Sequence, residues 1–245
     1  MGTKGNDLVT TYNVNQPLAG PGSVASRRLY QGHGDISFTL PLDTSSYNAL
    51  EARVEHRYSS GFSLLLSYTL SKTIDLGGES LIGDLSLRNP QNVKAERSLS
   101  SGDMRHRFVT SALYDLPFGR DRHFAIGNSV LNAIAGNWQL NGIVTLPSGQ
   151  PFTPTLGTST ANTGAPRPDR RIGNGNLPSD QRAVNKWFDK NAFTTPALYN
   201  FGNAGRNVLI GPGAANLDLS LFKSFPLPFL GEGRQCNSVP KLSTS

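Results

Sequence analysis

Between Tyr47 and Lys72 apolar and polar side chains alternate over two runs joined by Ser59-Ser60-Gly61. A period of two belongs to a strand, whose successive side chains point to opposite faces, so the segment predicts a β-hairpin. In the first run Leu50, Ala52, Val54, His56 and Tyr58 share one face, and Glu51, Arg53, Glu55 and Arg57 share the other. In the second, Phe62, Leu64, Leu66, Tyr68 and Leu70 alternate with Ser63, Leu65, Ser67, Thr69 and Ser71. Three further runs of about ten residues cover Arg105 to Leu116, Trp138 to Ser148 and Asn216 to Phe225. Trp138, Leu140, Gly142, Val144 and Leu146 oppose Gln139, Asn141, Ile143 and Thr145, while Leu217, Leu219 and Leu221 oppose Asp218 and Ser220. The run from Arg105 sets Phe108, Thr110, Ala112 and Tyr114 against Val109, Ser111, Leu113 and Asp115, and its outward face stays open.

The connections are unequal in an ordered way. A tight turn at 59–61 is followed by long segments at 73–104, 117–137 and 149–215. Compact soluble domains rarely carry loops of this length. A transmembrane β-barrel instead has tight turns at its periplasmic rim and long loops at its extracellular rim. With the 59–61 turn periplasmic, the residues nearest that rim are Tyr58, Phe62, Tyr114, Phe118, Trp138 and Phe225, which is an aromatic girdle. Ser129 to Ala135 has helical spacing within the 117–137 turn. Met1 to Leu42 reads as loop, with one short strand at Asp35 to Leu42. The chain therefore reads as all-β: a partial antiparallel up-and-down transmembrane β-barrel of about five to six strands with long polar extracellular loops. It occupies residues 1–232, and 233–245 reads as a disordered tail outside the barrel pattern.

Composition narrows this further. Charged residues make up 16% of the chain, against about 25% in an ordinary soluble domain. With 26 Gly and 16 Pro, the chain suits a turn-rich β protein better than a helical one. No stretch approaches the roughly 18 apolar residues of a membrane-spanning helix, and Met1 to Gly20 has no apolar core of a secretory signal. The single Cys236 excludes a disulfide framework and a multi-thiolate metal site. A net charge of +6 raises the question of nucleic acid, but Lys and Arg are scattered singly rather than gathered into a patch, so no nucleic-acid partner is expected.

Several ordered segments then become familiar. They are Ser46-Tyr47-Asn48-Ala49-Leu50, Arg57-Tyr58-Ser59-Ser60-Gly61-Phe62, Ser67-Tyr68-Thr69-Leu70-Ser71-Lys72, Arg105-His106-Arg107-Phe108, Leu116-Pro117-Phe118-Gly119, Asn137-Trp138-Gln139-Leu140-Asn141-Gly142, Ser148-Gly149-Gln150-Pro151-Phe152 and Gly202-Asn203-Ala204-Gly205-Arg206-Asn207. Together they resemble the C-terminal barrel of TonB-dependent outer-membrane receptors of the Oar-like kind, over roughly residues 1–230. The resemblance implies a parent barrel of about 22 strands with an N-terminal plug, set in outer-membrane lipid and importing a scarce nutrient of unidentified class. Energy would come from the TonB complex, acting through an N-terminal region of the parent. This chain carries no plug, TonB-docking motif or final aromatic-ended strand, and its family pattern stops at Gly233, so it is expected to be a fragment of that barrel.

Candidate sites are few. The row Glu51, Arg53, Glu55 and Arg57 is expected to face the barrel lumen, and Trp187, Phe188, Tyr199 and Arg206 are expected to be ligand-contact positions in the mouth loops. Glu51 and Glu55 lie about 13 Å apart along a strand, too far for a hydrolytic carboxylate pair. There is no nucleophile elbow, phosphate-binding loop or HExxH, so no enzyme activity, cofactor or metal is expected. The alternative is a soluble all-β ligand-binding or adhesin module, in which the same apolar rows would close against a second sheet.

Overall fold

In a computed structural model, described over residues 1–77, 87–120, 122–226, 235–238 and 241–244, the predicted runs form strands. We label β1 (Gly2–Asn13), β2 (Ser37–Ser59), β3 (Phe62–Asp75), β4 (His106–Asp115), β5 (Trp138–Pro147), β6 (Asn216–Pro226), β7 (Gln235–Ser238) and β8 (Lys241–Thr244). Strand order follows chain order from β1 to β7, and β8 pairs with β6. Among the described residues the pairings of this sheet are antiparallel. The β2–β3 turn has Ser60 and Gly61 both at positive φ, 51° and 82°. That is the two-residue turn whose twist matches a hairpin, and Gly is suited to its second position.

Register assigns the face that sequence left open. Phe62 pairs with Tyr114, Tyr114 with Leu140 and Leu140 with Leu221. One row therefore carries Leu64, Leu66, Phe108, Ala112, Leu140, Val144, Leu217 and Leu219. The other carries Ser63, Ser67, Ser111, Asp115, Gln139, Asn141, Asp218 and Ser220. Thus Phe108, Thr110, Ala112 and Tyr114 belong to the apolar row. The His56 ring lies 5.6 Å from that of Phe62, which joins the apolar side of β2 to the same row. At the rim the Tyr58 hydroxyl crosses to the polar row and donates to Asp115.

Three expectations are corrected. Met1 to Leu42 is not simply loop: β1 runs for 12 residues along β2. Its sequence shows no period of two because the pairing is interrupted, with register shifts at Gly5/Leu8 and Leu8/Thr10 and Asp7 at φ 54°. Pro41, which has no N–H to give, falls opposite the second shift. The segments at 35–42 and 47–58 are one strand of 23 residues. Finally, the segment 233–245 is not wholly a disordered tail. Gln235–Ser238 and Lys241–Thr244 pair along the free edge of β6, where unpaired N–H and C=O groups offer a template to any extended chain.

The chain divides into two compact units. The wall unit holds 50–70, 106–148 and 213–245. It is built on one sheet layer, and Leu50 and Val54 are 65% and 57% exposed, with Leu140 at 38%. These residues do not meet across a closed interior, as a sandwich would require. The loop unit holds 1–49, 71–105 and 149–212. Among the described residues, all the buried apolar side chains (Leu76, Leu87, Ala161, Ala192, Ala204 and Leu209) belong to it. The predicted helix forms as α1 (Ser129–Ala135), with the Asn128 carbonyl oxygen of the side chain accepting from the N–H groups of Val130 and Leu131.

Candidate functional site

The loop unit is organised around buried charge rather than around a large apolar core. Glu96 ends a 3-10 turn over Val93–Glu96 and is fully buried. One carboxylate oxygen accepts from Arg167 Nη2, and the other accepts from the Arg88 backbone N–H at 3.4 Å and lies 4.0 Å from Arg88 Nε. Arg206 donates from Nε to the Glu96 backbone carbonyl at 3.2 Å, and from Nη2 to the Asp75 carbonyl at 3.1 Å and to the Asp75 carboxylate. Arg88 Nη1 reaches the Gly202 carbonyl at 2.9 Å. Segments far apart in the chain are thereby fastened to one another.

Arg167 is 4% exposed. Burial pulls its pKa down, and the Glu96 charge and hydrogen bond offset only part of that pull. Its Nε and Nη1 have no acceptor among the described residues. Such a cluster holds together because each carboxylate is met by guanidinium donors, and removal of one member strands its partner in a medium that solvates charge poorly. Asn207 extends the lock, donating from Nδ2 to the Leu99 carbonyl at 2.8 Å and from its backbone N–H to Thr153 Oγ1 at 3.0 Å.

Beside this lock lies a cleft of about 560 Å³, lined by the apolar side chains of Leu42, Leu76 and Val93 together with Thr44, Lys94 and Arg97. Its walls are pinned by two hydrogen bonds. The Leu76 N–H donates to Asp43 Oδ1 at 2.9 Å, and Arg97 Nη1 donates to Thr44 Oγ1 at 2.7 Å. A concavity lined by apolar side chains and a few polar groups suits a small ligand.

The expected ligand-loop residues are distributed differently from one another. Trp187 donates from Nε1 to the Ile210 carbonyl at 2.7 Å and lies under the Arg182 guanidinium at 5.5 Å. Phe188 sits edge-on to Phe152 and Phe193, each at 6.2 Å between ring centroids. Tyr199 is exposed, with φ 61°. Arg206 lies inside the loop unit with its donors directed at Asp75 and Glu96. In the wall unit, Glu51, Arg53, Glu55 and Arg57 are all exposed, and Arg53 and Arg57 both approach Glu55, at 2.9 and 3.7 Å. Sequence reasoning missed Glu96, Arg167, Arg88 and Asp75, because single charged residues in polar loops carry no periodic signal.

A second polar knot closes the end of the wall that carries the 59–61 turn. Asp115 accepts from Arg122 Nη2 at 2.8 Å and Gln139 Nε2 at 2.7 Å, as well as from Tyr58. Its backbone N–H donates to the Gly61 carbonyl at 2.6 Å, tying β4 to the hairpin turn.

No curated protein and no solved structure matches the chain. A family model, the outer membrane beta barrel domain, matches residues 1–235. That span contains the one-layer wall with its continuous apolar row and its long connections, and the chain belongs to the outer membrane beta barrel domain family, a protein of the outer membrane.

Proposed function

We propose that the chain supplies wall strands and mouth loops to a TonB-dependent receptor of the Oar-like kind, which imports a scarce nutrient across the outer membrane. The observation that carries this reading is the built loop unit. A pore that only passes solutes has no use for a buried ionic lock, whereas a receptor must hold its ligand contacts in fixed geometry before binding, so that little ordering is left to lower affinity. The cleft over Leu42, Leu76 and Val93 is the first candidate for ligand capture, with Trp187, Phe188 and Tyr199 as further loop contacts. Glu51, Arg53, Glu55 and Arg57 are assigned to the lumen side, opposite the apolar row, where alternating charge suits a water-filled or plugged interior. The wall is passive and performs no catalysis, and the TonB complex acts through a plug region of the parent receptor.

The reading is tested by uptake in cells carrying the parent receptor. Uptake of its nutrient should stop when the TonB complex is removed or the proton gradient is collapsed, while surface binding of the nutrient persists. Uptake that continues unchanged under both treatments would show a passive channel and overturn the proposal.

A further inference from the structure

The 117–137 turn leaves several large apolar side chains uncovered. Phe118 and Phe124 stack on each other at 5.5 Å and remain exposed. Val130, Leu131 and Ile134 lie together on one side of α1 and are 68%, 57% and 66% exposed. A helix of seven residues is too short to persist on its own propensity, so its position is set by what holds its ends. Asn128 caps the start. At the other end two donors come from the wall: Trp138 Nε1 donates to the Ile134 carbonyl at 2.9 Å, and Lys223 Nζ donates to the Gly136 carbonyl.

Both donors stand on one row. Trp138 pairs with Lys223 across β5 and β6, and alternation carries that row on through Leu140, Leu221 and Leu219. In an outer-membrane barrel this apolar row faces hydrocarbon. The helix is therefore tied to the lipid side of the wall, whereas Arg122, earlier in the same turn, is tied to Asp115 on the polar side. Lys223 Nζ also lies 5.0 Å from the Trp138 ring centroid and 5.4 Å from that of Phe225. A cation over two aromatic rings at the end of a hydrocarbon-facing row marks the membrane–water boundary, where Lys stems lie in the apolar layer and Trp rings collect. Arg120, exposed and hydrogen-bonded to Ser129 Oγ at 3.0 Å, adds positive charge beside the helix.

We propose that α1 is an interfacial helix, whose Val130, Leu131 and Ile134 enter the periplasmic leaflet of the outer membrane at the level of the Trp138 and Phe225 rings. Apolar faces of this kind sink to the boundary between headgroups and acyl chains. The partner is the lipid leaflet itself. The inference rests on membership of the barrel family and is independent of whether the barrel transports.

The test places one nitroxide at a time at Val130→Cys, Leu131→Cys or Ile134→Cys, with Ser129→Cys on the far side of α1 and Val144→Cys on the wall as references. The background is Cys236→Ser, and the full chain is assembled in phosphatidylethanolamine–phosphatidylglycerol vesicles. Collisions with oxygen should dominate at 130, 131 and 134, as at 144, while a water-soluble nickel complex should dominate at 129. Nickel access at 130 and 131 equal to that at 129 overturns the proposal. Shielding of 130 and 131 from both reagents also overturns it, because the face would then be covered by protein. The three labelled positions keep the test standing if one substitution impairs assembly.

Discussion

Glu96→Gln is the most informative single perturbation of the loop unit. The carboxylate is fully buried, accepts from Arg167 and faces Arg88 at 4.0 Å, so neutralising it leaves the Arg167 charge without a counter-ion at 4% exposure. Breaking a buried pair by removing one partner costs about 3–5 kcal/mol. The amide keeps one acceptor oxygen in place, which favours the lower end of that range, about 3 kcal/mol. At about 1.4 kcal/mol per tenfold change, this is roughly a 150-fold rise in the local opening constant. Hydrogen exchange on the membrane-inserted protein measures it, read at the amides of Arg88, Arg167 and Arg206 against those of the wall strands. Glu96→Gln combined with Arg167→Met removes the stranded charge as well, and should recover most of the lost protection, because replacing a whole buried pair is often nearly neutral. Unchanged exchange in the single variant, or a double variant less protected than the single one, would refute the argument that pairing holds this unit together.

Other consequences can be checked directly. Val144→Arg, on the apolar row, should lower stability by about 2–4 kcal/mol at the bilayer midplane, whereas Thr145→Arg on the polar row should have little effect; urea titration in lipid vesicles compares the two. Gly61→Ala places a Cβ at φ +82° and 3.1 Å from the Asp115 side chain. This should cost about 1–2 kcal/mol from the left-handed backbone alone, seen as a smaller folded fraction on electrophoresis without heating. Gly202→Ala would set a Cβ 2.0 Å from the Arg167 carbonyl oxygen, so the loop unit should become sensitive to protease while the wall strands keep their protection.

How much of this was readable beforehand follows from the range over which each feature acts. Period-two alternation is a property of neighbouring residues, and it located β3 to β6, the hairpin turn and, by its helical counterpart, α1. Loop lengths and the aromatic rim placed the chain in the outer membrane, in agreement with the family match. Pairing between strands is non-local. The apolar face of β4 became definite only through its register with β3 and β5. β1 is a strand only because β2 accepts it, bulges included. The ionic lock is more distant still: Glu96 and Arg167 are 71 residues apart, and Asp75 and Arg206 are 131 apart. Nothing in the local pattern around a lone Glu or Arg foretells a buried partner. The sequence by itself thus determined which segments extend and which side of each is greasy. Only the tertiary structure decided which sides align and which loop charges are taken out of water together, because those depend on contacts that the chain makes after it has turned back on itself.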